Sequence, residues 1–185
     1  ELTTFYQFGV YKGGSIVTAF NALKAVGKNI DMIYGFDSFE GLPERTNEER
    51  QAALEKHGSY EWEGGQYSSD EFYGVDDSKK FLQTVFDKYL DPEVKLVKGW
   101  FADTLNHNAV KKYNLKPAAY IDIDVDTYTS SVEVLDFIFS EGIATIGTVI
   151  GFDDWGGTPD WKQWGDGVSK ACREAIEKYE LNLTL

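Results

Sequence analysis

The chain has 185 residues, enough for one domain around one sizeable core, and its 42% hydrophobic and 15% aromatic content excludes a disordered chain. With 18 Lys+Arg against 31 Asp+Glu the formal net charge is −13, which argues against a nucleic-acid or anionic-membrane partner, since both need a basic footprint. Cys172 is the only cysteine, so no disulfide framework or cysteine zinc site is expected and the setting reads as reducing and cytoplasmic; no apolar run reaches the ~18–20 residues of a membrane span.

Five short apolar, β-prone runs end in Gly or Asp, with helical patterns between them. "TTFYQFGV" (3–10) is the first strand, and "SIVTAFNALKAVG" (15–27) puts Ile16, Ala19, Phe20 and Leu23 on one helical face, opening after Ser15 and stopping at Gly27. "DMIYGFDSF" (31–39) is the second strand. Residues 44–75 break the pattern: rich in Gly, Tyr and acid, they are long for a connection and read either as a surface excursion or as a lid. "DDSKKFLQTVFDKYL" (76–90) returns to helical spacing, with Phe81, Leu82, Val85, Phe86 and Tyr89 three or four apart. The remaining strands are "VKLVKGWF" (94–101), "AAYIDIDVD" (118–126) and "TVIGFDDW" (148–155), the last two followed by helices over 130–139 and 167–180. Near-continuous apolar strands alternating with helices predict a single α/β domain over 1–185, Rossmann-like and doubly wound, with a mainly parallel sheet covered on both faces. Ligands of such sheets sit beyond the carboxyl ends of the strands, where every Gly/Asp cluster in this chain falls.

"GVYKGGS" (9–15) follows a strand and opens a helix, so its glycines let backbone approach a ligand while free N–H groups face it. It lacks the Gly-Lys-Ser/Thr of a P-loop and the G-x-G-x-x-G of a dinucleotide fold, and a tight structural turn is the rival explanation. Asp37, ending the second strand, is placed to accept hydrogen bonds from the ribose of an adenosine-type cofactor, or else to cap the next turn. In "YIDIDVDTY" (120–128), Ile121, Ile123 and Val125 share one face while Asp122, Asp124 and Asp126 share the other, their carboxylates roughly 6–7 Å apart along an extended strand. An EF-hand is the alternative for this stretch, since Asp122, Asp124, Asp126, Ser130 and Glu133 have its spacing. Thr127 stands where that loop needs glycine, however, and no helix enters it. If the fourth and fifth strands are neighbours, Asp124 or Asp126 comes close to the adjacent pair Asp153 and Asp154. An all-oxygen set without His or Cys suits a hard divalent cation, Mg²⁺ first, with Ca²⁺ or Mn²⁺ open. Helix capping by Asp153 and Asp154 is the plainer alternative.

Taken in order, "YQFGVYKGGS", "YGFDSFEGLPE", "LVKGWFADTL", "IDVDTYTSS" and "GFDDWGG" resemble the signature blocks of the macrocin O-methyltransferase family, whose members use S-adenosylmethionine and Mg²⁺ to methylate sugar hydroxyls of antibiotics. The resemblance implies a class I methyltransferase fold. It implies that Gly9, Tyr11, Gly13 and Ser15 line the methionine part of the cofactor. Asp37 would bind the ribose with Ser38 beside it, and Gly99, Trp100 and Phe101 would flank the adenine. Asp124, Asp153 and Asp154 would hold the metal, Asp124 doubling as general base; Asp122 receives no role and Asp126 an open one. The implied acceptor is a small molecule bearing a hydroxyl, glycosylated in the family; homo-oligomer formation is left open. Departures exist. Gln7 stands where the family has Glu, which would remove an acid near the sulfonium, and the chain ends at "LNLTL" (181–185), short of the usual closing strand. A degenerate domain that binds the cofactor without turnover, or a nucleotide-dependent oxidoreductase, are the rival functions. Trp155, Trp161 and Trp164 read either as substrate-stacking or as packing residues, and His57 and His107 as solvent-facing.

Overall fold

The computed structural model describes residues 1–184 apart from 45, 48, 49, 52–62, 154 and 156–166. Among the described residues the chain runs β1 (Thr4–Phe8), α1 (Gly14–Ala25), β2 (Met32–Asp37), α2 (Ser69–Tyr73), α3 (Ser78–Tyr89) and β3 (Glu93–Lys98). It continues through α4 (Phe101–Thr104), α5 (His107–Tyr113), β4 (Ala118–Ile123), α6 (Tyr128–Ser140), β5 (Val149–Phe152) and α7 (Val168–Lys178). The five strands form one sheet in the order β3-β2-β1-β4-β5, and every neighbouring pair is parallel. The expected α/β architecture is therefore present, and β4 and β5 are neighbours.

Alternation along each strand splits the core in two. Tyr6, Phe8, Tyr34, Phe36, Ile121 and Ile123 face one way, under Val134 and Ile138 of α6 and Ala171 and Cys172 of α7. Phe5, Ile33 and Leu96 face the other, under Ile16 and Phe20 of α1 and Leu82 and Phe86 of α3. Rings stack along the first face, Tyr6 on Tyr34 and Phe8 on Phe36, each with centroids 5.3 Å apart. Such pairs add roughly 0.5–1.5 kcal/mol to their area burial. The buried Tyr6 hydroxyl donates to Lys116 O at 2.7 Å and accepts from Lys116 N at 3.0 Å, so its polar end costs nothing unpaired. Burial also pushes the Cys172 thiol up to about 11, which leaves it a core hydrophobe rather than a nucleophile at neutral pH.

The structure moves two of the sequence boundaries. Helix α1 starts at Gly14 with Gly13 as its N-cap at φ 74°, not after Ser15. β4 stops at Ile123, so Asp124 and Asp126 have left the sheet, and Asp126 adopts φ 57°. Val125 still packs with Ile121 and Ile123, which preserves the apolar side of the alternation. A strand precedes this turn, so the EF-hand's entering helix is absent. No helix among the described residues is long and apolar enough to cross a membrane.

Candidate active site

β1 and β4 are adjacent, but their continuations leave toward opposite ends of the sheet, β1 to β2 and β4 to β5. A crevice opens at such a switch point. Its floor is tight. Gly9, at φ 83°, donates its N–H to Phe36 O at 3.0 Å, and Asp124 N donates to Phe8 O at 2.9 Å. A Cβ on Gly9 would lie 1.7 Å from the Asp124 carbonyl oxygen, so only glycine lets the two strand exits meet.

Asp37 holds the loop above this floor. Its Oδ2 accepts from Val10 N at 2.6 Å and Tyr11 N at 3.0 Å, and its Oδ1 accepts from Phe39 N at 2.6 Å. The turn-capping alternative is thus realised, and it does not exclude the ribose role. An ionised carboxylate offers about four acceptor positions, and Asp37 also borders the cavity described below. Asp37→Ala would leave three N–H groups without their acceptor. We expect a loss of about 3 kcal/mol, seen as a melting point lowered by roughly 6–12 °C, together with adenosyl-ligand affinity at least about tenfold weaker. Thermal denaturation and ligand titration of the same variant check both; a wild-type melting point would sink the loop-holding role.

The described end of the 44–75 excursion is fastened to this loop. Leu42 N donates to Gln66 O at 2.8 Å and Gly65 N to Leu42 O at 2.9 Å. Ser69 Oγ donates to Tyr11 O at 2.7 Å, and Tyr73 OH donates to Lys12 O at 2.9 Å. The rings of Tyr11 and Tyr67 meet edge to face, 5.4 Å apart. Asp70 takes the Ser78 N–H at 2.7 Å and the Lys98 ammonium at 3.2 Å; burial pushes its carboxyl up, but Ser78 and Lys98 outweigh that and hold it below the ordinary value. Residues 63–75 therefore form a buttressed wall. Most of residues 45–62, and with them His57, lie outside the described residues.

Between the wall and the strand ends lies a cavity of about 490 Å³. Of the residues expected in the site, Gly9, Tyr11, Asp37, Ser38, Trp100, Phe101, Asp124 and Asp153 border it. Gly13, Ser15 and Gly99 do not. Gly13 is a packing glycine whose Cβ would stand 2.5 Å from Phe86 Cζ, and Gly99 lets the chain turn closely past Thr104 at φ 145°. Residues outside the expected cofactor and metal sets also border the cavity: Gly41, Leu42 and Pro43 after β2, Tyr67 on the wall, and Thr129, Ser130 and Glu133 at the start of α6, the last two expected only under the calcium-loop alternative. Asp37, Asp124, Asp126, Glu133 and Asp153 give its lining five carboxylates, and no Lys, Arg or His side chain is among the described lining residues. That field favours a cationic ligand.

The acids of β4 and β5 converge as adjacency requires. Asp122 pairs in register with Gly151, and Asp153 N donates to Ile123 O at 3.1 Å. Burial raises the Asp122 carboxyl above its ordinary value; hydrogen bonds from Gln7 and Tyr120 pull it down, and the charge of Asp153 pushes it up again. Gln7 sits beside Asp122 in the sheet and donates its amide to Gly9 O at 3.0 Å. It does not border the cavity, so a glutamate in its place would add charge beside Asp122 rather than at the cavity surface. Asp124 and Asp153 border the same cavity, whereas Asp154, Trp161 and Trp164 fall outside the described residues. Among the described residues no group of three or more His, Cys, Asp or Glu is arranged to hold a metal. Trp155 packs on Phe152 with centroids 5.0 Å apart, and His107 is exposed and pairs with Glu141 at 2.8 Å.

Comparison with known proteins points one way. The profile of the family described as Macrocin-O-methyltransferase (TylF) matches residues 3–182. The mycinamicin III 3''-O-methyltransferase of Micromonospora griseorubida is 25% identical over 179 residues, covering 94% of this chain and 58% of that protein. The 8-demethyl-8-(2,3-dimethoxy-alpha-L-rhamnosyl)-tetracenomycin-C 4'-O-methyltransferase of Streptomyces olivaceus is 26% identical, covering 94% of this chain and 56% of that protein. The chain thus spans little more than half the length of these relatives. The fold matches that of the O-methyltransferase NovP, with a TM-score of 0.65 at 21% identity, over 97% of this chain and 65% of that one.

Proposed function

The chain belongs to the macrocin O-methyltransferase (TylF) family, and from that premise we propose that it transfers a methyl group from S-adenosylmethionine to a hydroxyl, on a sugar of a natural product or glycan, with help from a divalent cation. The observation that carries this reading is the carboxylate-lined cavity at the β1/β4 switch point, which has no basic side chain among its described lining residues. A sugar-bearing acceptor is what the name of the Streptomyces olivaceus relative, with its rhamnosyl group, describes for that protein.

When bound, the donor supplies an electrophilic methyl on a sulfonium, and the cation, Mg²⁺ by donor type, lowers the pKa of the acceptor hydroxyl. The chain's own residues do the rest. Gly9 and the Tyr11 loop hold the methionine end, Asp37 and Ser38 the ribose, and Trp100 and Phe101 the base. Asp124 and Asp153 would hold the cation through oxygen donors suited to a hard ion, and Asp154, next to Asp153 in the sequence, would add a third carboxylate. Asp124, at the exit of β4, takes the proton from the acceptor hydroxyl, and its position is fixed by its own N–H bond to Phe8 O. Tyr67 supplies part of the cavity wall on the side of the Tyr11 loop.

Titration with S-adenosylhomocysteine, with NADH and with Mg²⁺, followed by methyl transfer to a panel of glycosylated acceptors with and without chelator, tests the proposal. The expected result is binding of the first, none of the second, and transfer that stops on chelation. Binding unaffected by chelator with no transfer to any acceptor would return the chain to a non-catalytic binding domain.

A further inference from the structure

The order of the strands lays the cavity out as a row. Asp124 and Asp153 stand at the β4/β5 end, Gly9 at β1 and Asp37 at β2, and Trp100, Phe101 and Ala102 beyond β3. With the reacting end of the donor at the aspartates and its ribose at Asp37, the base falls in the last section of the row. There the chain after β3 faces the first turns of α6, which contribute Thr129, Ser130 and Glu133. Glu133 is the acid that α6 itself contributes to the described lining. It stands on the partition with an adjoining hollow of about 220 Å³, which it shares with Phe101 and Ala102.

Partial burial pushes the Glu133 carboxyl up, and the charge of Asp103 pushes it further; no hydrogen bond from a described residue offsets either effect. The half-buried Glu133 carboxylate has free acceptor positions toward the described residues, and a donor arriving with the ligand would fill one of them. Asp103, by contrast, is exposed and does not border the cavity. Resting on the methyl-donor reading above, we propose that Glu133 selects the base of the donor: its carboxylate accepts a hydrogen bond from the exocyclic amine of a 6-aminopurine and repels the carbonyl of a 6-oxopurine.

The test measures dissociation constants of S-adenosylhomocysteine and of its 6-oxo counterpart, S-inosylhomocysteine, by calorimetry on the wild type, Glu133→Gln, Glu133→Ala and Asp103→Asn, with melting curves to show that each variant folds. The wild type is expected to prefer the 6-amino ligand by about 30-fold. Glu133→Gln, whose amide can turn its NH₂ toward a carbonyl, should narrow that preference to about threefold or less, and Glu133→Ala should narrow it similarly while weakening the 6-amino ligand. Asp103→Asn should keep the wild-type ratio. Variants at Glu133 that retain the full preference, or an Asp103→Asn that loses it, overturn the assignment. A wild type that binds both ligands equally overturns it too but leaves the donor reading intact, whereas a wild type that binds neither removes both.

Discussion

Asp153→Asn should lower the turnover number by about a thousandfold while leaving S-adenosylhomocysteine affinity within about threefold of the wild type. The replacement is isosteric, and the Asp153 main chain stays tied to Ile123 O, so the change is one of charge at the cavity surface and not of its shape. The stability readout goes the opposite way to activity. Asp122 is held above its ordinary carboxyl value, so its charge opposes folding: its contribution is most favourable below pH about 4 and declines as pH rises through the raised folded value. Removing the Asp153 charge lessens that penalty, so the variant should melt no lower than the wild type at neutral pH. An inactive variant that is also unfolded, or one that loses the ligand but turns over normally at saturation, would refute the division of labour between the aspartates and the adenosyl end.

Gly9→Ala should be the most damaging Gly→Ala change among the described glycines, costing about 3 kcal/mol or more and abolishing ligand binding. Two separate obstacles coincide there. The added carbon overlaps the Asp124 carbonyl oxygen at 1.7 Å, a backbone atom that cannot swing aside, and the residue needs φ 83°. Gly14→Ala is the matched control. Nothing lies within 4 Å of the carbon it adds, and it opens α1, so stability should hold or rise by up to about 1 kcal/mol. Melting curves and calorimetry on the two variants make the comparison; equal behaviour would show that the contact between the strand exits is not what shapes the site.

The five strands and the helices that cover them were readable because each carries many apolar residues at a fixed spacing, and burial on both faces leaves few alternatives. Helices α4 and α5 were not, because pieces of four and seven residues are too short to show a period. They exist through local devices, such as Asn106 accepting from Ala109 N at 3.1 Å. Within the site, Gly9, Asp37, Asp124 and Asp153 were legible as residues at strand ends. For Gly13 the structure adds a packing reason that the sequence could not show, since a glycine demanded by Phe86 on a distant helix looks the same in sequence as one demanded by a ligand. Tyr67, inside the possible lid, and Glu133, named only for the calcium-loop alternative, were not read as lining this cavity for the same kind of reason. Tyr67 reaches the cavity through the pairing of Leu42 with Gln66, and Glu133 through the way α6 passes behind the turn after β3. Neither relation leaves a local mark, although a run as tyrosine-rich as 60–73 was a hint that a wall was being built.

The three backbone N–H hydrogen bonds accepted by Asp37 carry a consequence for affinity. A glycine-containing loop that sampled many shapes would have to be ordered by its ligand, and that entropy would be subtracted from the binding free energy. In this protein the loop acquires its shape when β2 docks beside β1, so recognition begins from a receptor already set. Donor affinity should accordingly follow the integrity of the sheet: conditions that loosen the β1–β2 pairing would weaken binding well before the chain as a whole unfolds.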